Sequence, residues 1–215
     1  MRRGAGLLLG LTLVLTGCCD KKCDNSTAFL EAKASNRPIV AIVPMIDHSR
    51  SDLNWNVSQE LSQAIRGRLS QKNQVYVISE DTFANKAEKA LSSHDPFDPD
   101  ISWVRKTFSP NEFVVFMELM DHNEIPTTAA EDSPAELTLS VRVRVFDLRE
   151  KTAKVVLQEI IQQSHHIPRQ FTKNNLSQVA WGHETFNASP LGIAHDMLCK
   201  ELASRIEDYI LISGG

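Results

Sequence analysis

The chain has 215 residues, 42% of them hydrophobic, with 23 basic against 27 acidic side chains and a formal charge of −4. That balance supplies no basic face for nucleic acid or an anionic membrane surface, and the length suits one domain with a sizeable core. Four cysteines (Cys18, Cys19, Cys23 and Cys199) are too few and too irregularly spaced for a structural zinc site, so no metal or other cofactor is expected.

Arg2 and Arg3 precede an apolar run from Leu7 to Leu15. The run is too short to span a bilayer core of about 30 Å as a helix, which takes about 20 residues. It closes on Leu15-Thr16-Gly17-Cys18, which resembles the lipobox of bacterial lipoproteins. The resemblance implies a signal peptide over residues 1–17 and acyl chains on Cys18. At about 0.8 kcal/mol per buried CH₂, several chains anchor a protein permanently. Cys19 follows, rather than the aspartate of inner-membrane retention, so the expected location is the outer membrane with the domain facing the periplasm. Loss of Arg2 and Arg3 with the signal moves the formal charge to −6. Residues 18–37 read as a polar tether with a coil span of about 20–25 Å, with Thr27 to Ala34 able to form a short helix. Cys19 and Cys23 either close a small disulfide or remain free thiols.

A single domain is expected over residues 38–213. Pro38 to Met45 is a continuous apolar run, the pattern of a strand buried on both faces. After a polar loop from Asp47 to Asn56, Val57, Leu61, Ala64, Ile65 and Leu69 form one stripe of a helix, leaving Gln59, Ser62, Gln63, Arg66 and Arg68 outside. Val75 to Ile78 is a second short strand, so the chain opens as a βαβ unit. Helical turns follow at Asp81–Leu91 and Ile101–Phe108, interrupted by Pro96 and Pro99. Phe113 to Met120 is a third strand and Asn123 to Pro134 a polar loop. Leu137, Leu139, Val141, Val143 and Val145 alternate with polar residues, and Val155 to Ile161 returns, giving an antiparallel hairpin with one wet face. Ser189 and Pro190 cap a final helix whose stripe is Leu191, Ala194, Leu198, Leu202, Ile206, Tyr209 and Ile210. The fold class is therefore an α/β sandwich: a mixed sheet of about five strands with a βαβ start, a hairpin and a packed C-terminal helix.

The run Ile39-Val40-Ala41-Ile42-Val43-Pro44-Met45, the helix from Val57 to Leu69 and Val75-Tyr76-Val77-Ile78-Ser79-Glu80 resemble a loose group of periplasmic proteins. The group comprises lipoprotein activators of penicillin-binding proteins, the curli-secretion lipoprotein and the N-terminal domain of the Tol-system propeller protein. It implies an anticodon-binding-like fold and a non-catalytic role. Two departures limit the likeness. The tether is shorter than one that crosses the periplasm, and only one hairpin is present where the curli lipoprotein carries two. No binding residue is transferred from either family.

No Gly-x-Ser-x-Gly elbow or glycine-rich phosphate loop is present. His165 and His166 are adjacent and point to opposite faces of a strand, a poor ligand pair. His183-Glu184 lacks the two-histidine helical spacing of a metalloprotease. His195 is placed at a solvated or edge position. His94, Asp95, Asp98 and Asp100 resemble a calcium loop only loosely, and Pro96 and Pro99 spoil its turn. The candidates for contact with another envelope protein are Trp55, beside the first polar loop, and Arg142 and Arg144 on the wet face of the hairpin. Membrane insertion of that hairpin is disfavoured because Glu159 shares a face with Leu157 and Ile161. The expectation is a lipid-anchored, non-catalytic protein docking a membrane-proximal partner, with an oligomeric secretion or pore-forming lipoprotein, or a small-ligand binder, as the alternatives.

Overall fold

The computed structural model describes Leu30 and residues 36–130, 133–172 and 181–214. The signal segment, Cys18, Cys19, Cys23 and most of the tether lie outside the described residues. Six strands and five α-helices follow in order: β1 (Ile39–Ile42), β2 (Ile46–Asp47), α1 (Val57–Lys72), β3 (Tyr76–Val77), α2 (Ala84–Leu91), α3 (Ser102–Phe108), β4 (Phe113–Pro126), β5 (Ala135–Asp147), β6 (Lys154–Ile167), α4 (Glu184–Asn187) and α5 (Pro190–Gly214). Together they form the mixed α/β sandwich that the element order implies.

The sheet runs β3-β1-β4-β5-β6, with β2 beside β4. β1 is parallel to both β3 and β4, which requires the α1 and α2–α3 crossovers, while β4, β5 and β6 form an antiparallel meander. α1 starts at Asn56, whose side chain accepts from Gln59 N at 2.9 Å. It stops at Asn73, which adopts φ 57°, a left-handed conformation that asparagine tolerates better than most residues. Ser189 caps α5, its Oγ accepting from Gly192 N at 3.0 Å.

Two cores result. α1 and α5 bury Leu61, Ile65, Leu198 and Leu202 against Val115, Val141 and Val143 on one face of the sheet. α2 and α3 bury Phe83, Trp103 and Phe108 against Ala41, Phe116 and Phe146 on the other. The stripe expected for α5 is buried except at Tyr209, which is 36% exposed.

Several boundaries differ from expectation: the strand in the first apolar run ends at Ile42, a separate β2 lies past the run at Ile46–Asp47, β6 continues to Ile167, and β4 continues to Pro126 where a loop was expected from Asn123. That polar stretch is held by a complete ladder to β5, with Asn123 opposite Thr138 and Ile125 opposite Glu136. Cross-strand pairing therefore overrides its low strand propensity. The register shifts between Leu119 and Asp121, leaving Met120 as the extra residue. Such a bulge re-aims the side chains that follow it.

Candidate functional site

The bulge decides where His122 points. Leu119, opposite Val141, faces the helices, and in a regular strand residue 122 would face away from them. The extra residue brings His122 opposite Leu139, onto the helix side, where it meets His195 of α5. Their Nε2 atoms are 2.9 Å apart. His195 Nδ1 contacts Glu60 Oε1 of α1 at 2.7 Å, and Trp55 Nε1 donates to Glu60 Oε2 at 2.7 Å. At the other end, His122 Nδ1 lies 3.3 Å from Ser51 Oγ. A chain of polar groups thus runs from the loop after β2, across β4 and α5, to α1. His195 is 2% exposed, Glu60 5% and His122 7%. This overturns the solvated placement expected for His195.

Burial dominates the electrostatics of the chain. It pushes the pKa of His122 down from 6.5 to about 4, with the neighbouring His195 adding to the effect. The Cys199 thiol, beside the chain in the same core, is pushed up to about 12 by burial and then by Glu60. Its Sγ lies 3.9 Å from Leu61 O. Among the described residues no group of three metal-ligating side chains is assembled, the His94–Asp100 loop included. There, Asp95 and Asp100 accept from the backbone N–H groups of Phe97 and Ser102, and His94 stacks on Trp103.

The three residues named from sequence are largely engaged inside the domain. Trp55 is half-buried, hydrogen-bonded to Glu60 and edge-on to Phe186. Arg142 donates to Glu118 at 2.6 Å and lies 4.0 Å over the Phe97 ring. Glu118 also accepts from His48 at 2.6 Å. Arg144 is 8% exposed and donates to Pro96 O at 2.9 Å and Asp98 O at 2.8 Å. The 94–100 loop therefore covers the sheet face that the alternating pattern marks as wet. On β6 the same face is exposed at Gln158 and Ile160, opposite Arg144 and Arg142, and at Gln162, Ser164 and His166 beyond them. β6 is also the last strand of the sheet, 14 residues long, and pairs only with β5 among the described residues. Among the described residues no strand pairs with its second backbone edge, the kind of edge that can accept another strand.

Comparison with known proteins agrees with this architecture. The solved structure of the hypothetical protein CT253 from Chlamydia trachomatis matches with 26% identity and a TM-score of 0.64, covering 81% of this chain and 98% of that one. Lipoprotein GNA1162 from Neisseria meningitidis matches with 17% identity and a TM-score of 0.43, over 78% of this chain and 99% of that one. The LpoB C-terminal domain from Salmonella enterica matches with 8% identity and a TM-score of 0.35, over 65% and 93%. The first of these last two is named as a lipoprotein, and both similarities are too low to carry function across. No match is found among curated proteins. The family model that matches spans residues 27–214, so it takes in the whole sheet and the buried histidine chain, and the protein belongs to the family of unknown function DUF7499.

Proposed function

We propose that this is a lipid-anchored protein of the bacterial envelope that acts by docking another envelope protein, without catalysis. The anchor is Cys18, read from the lipobox-like Leu15-Thr16-Gly17-Cys18. Among the described residues no helix is long and apolar enough to cross a membrane. The short tether keeps the domain near its own membrane, so the partner is membrane-proximal, in the outer membrane or the adjoining cell wall.

One observation carries the docking reading: the 14-residue edge strand β6 with its exposed outer face. Soluble proteins blunt long exposed edges, and an extended partner segment satisfies one by adding a strand. Arg142 and Arg144 then act behind this surface, holding the covering loop, while Trp55 packs on the opposite, helix-covered face of the sheet. The test is a photo-crosslinking residue at Gln162 on β6, with Glu88 on α2 as the control, in intact cells. A second envelope protein captured at Gln162 and not at Glu88 is the expected result. Equal capture at both positions, or none, refutes the reading. An adduct containing only two copies of this chain replaces it with self-assembly.

A further inference from the structure

The hydrogen bonds of the buried chain can be counted atom by atom. With both imidazoles neutral, Ser51 O–H donates to His122 Nδ1, His122 Nε2–H donates to His195 Nε2, and His195 Nδ1–H donates to Glu60. One added proton fits without loss. It resides on His195, whose Nδ1–H still meets Glu60 while its Nε2–H now donates to His122 Nε2. His122 reverses its tautomer, and its Nδ1–H donates to Ser51 Oγ. A second proton has no place, because both Nε2 atoms would then carry hydrogens facing each other across 2.9 Å. Two cations would also sit side by side in a largely buried site, opposed by the single carboxylate of Glu60.

The part of the chain able to yield is the loop from His48 to Asn56. β4 and α5 are fixed by the sheet and the main core, whereas this loop is irregular and carries Arg50 at φ 53°, a left-handed conformation strained for a residue with a Cβ. Ser51 joins the loop to His122 at the edge of a shallow recess of about 80 Å³ that opens beside Arg50, Asp52 and Glu124. We infer that the Ser51–His122–His195–Glu60 chain is a proton-operated latch, which holds the 48–56 loop when it carries at most one added proton and releases it when His122 takes a second. The inference is independent of the docking reading, although the loop it frees carries Trp55.

The other charged groups around the chain are Asp47 at the end of β2, His165 on β6, Asp196 on α5 with its partner Arg68 of α1, and Arg50, Asp52 and Glu124 at the recess. Asp47 favours protonation of His122, while His195 opposes it at both His122 and His165. For His122 the folded pKa lies below the unfolded or released value. The closed loop is therefore fully favoured above about pH 6.5 and loses that advantage as pH falls towards 4. At pH 4.5 a full return from about 4 to 6.5 would favour the released loop by about 50-fold relative to neutral pH, and His195, which stays beside His122, holds the gain below that limit.

The experiment is hydrogen exchange followed by mass spectrometry on the full chain in detergent, at pH 7 and pH 4.5, with each rate divided by its intrinsic value. Protection of peptides covering residues 48–56 should fall at pH 4.5, by at most about 50-fold, while β5 keeps its protection. His122→Gln, which offers His195 a neutral amide, should abolish that pH dependence. Ser51→Ala, a mild change on a half-buried loop, should loosen the loop already at pH 7. Unchanged protection in the parent, an equal fall across β5, or the same fall in His122→Gln overturns the latch. If His122→Gln does not fold, Ser51→Ala decides: tight protection at pH 7 in that variant also overturns it.

Discussion

Replacing Arg144 by methionine separates an internal strut from a contact residue. Methionine keeps the length of the side chain inside the sheet, near Phe146, but removes both donors to the 94–100 loop. The guanidinium NH1 gives two hydrogen bonds, to Pro96 O and Asp98 O, and bonds from a charged donor contribute about 1.5–3 kcal/mol each. Against this, removing a buried guanidinium whose Nε has no partner relieves the cost of its desolvation. The two effects leave a net destabilisation of about 1–3 kcal/mol, or a melting point lower by about 3–10 °C for a domain of this size. Calorimetry measures the shift, and limited proteolysis should locate new cleavage between His94 and Asp100. A variant that melts within about 1 °C of the parent and resists cleavage would refute the strut, and loss of partner crosslinking alone would make Arg144 a contact residue after all.

Three further outcomes follow from the same geometry. Changing Leu198 and Leu202 of α5 together to alanine, both fully buried, should cost about 2–5 kcal/mol per site and remove most of the stability in urea unfolding; unchanged unfolding would mean this face is not core. The Cys199 thiol, held near 12, should stay unlabelled by maleimide in the native protein at pH 7.5 and react once urea unfolds the domain, read as the mass of the peptide that carries it. Cys18→Ala should abolish incorporation of labelled palmitate, and label persisting on that variant would move the anchor to Cys19 or Cys23.

Pattern carried the fold a long way. The double-sided apolar run at Ile39–Val43, the stripe from Val57 to Leu69, the alternation through Leu137–Val145 and the Ser189-Pro190 cap each have one dominant local solution, and those solutions agree with one another. The functional groups were harder to see because they depend on contacts distant in sequence. The bulge at Met120 is set by the pairing of β4 with β5, and without it His122 reads as the end of a strand facing solvent. Arg144 alternates correctly onto the second face, yet only tertiary structure lays Pro96 and Asp98 over it. A signal was present for the other partners. Glu60 lies three residues after Val57 and His195 four after Leu191, so both fall on apolar stripes. A charged group on such a stripe is buried with a partner or destabilises its helix. Reading the two stripes against each other pairs Glu60 with His195; the third member, His122, required the sheet.

The claim that a lipid tether presents the β6 edge to a neighbour is tested most directly by crosslinking from Gln162 in the parent and in Cys18→Ala, expressed at equal levels. Anchoring converts the encounter into one at high effective concentration, so the account predicts a strong adduct with one envelope protein in the parent and its loss in the unanchored variant. An adduct of equal yield from both chains would show that docking does not depend on the anchor and would contradict the account.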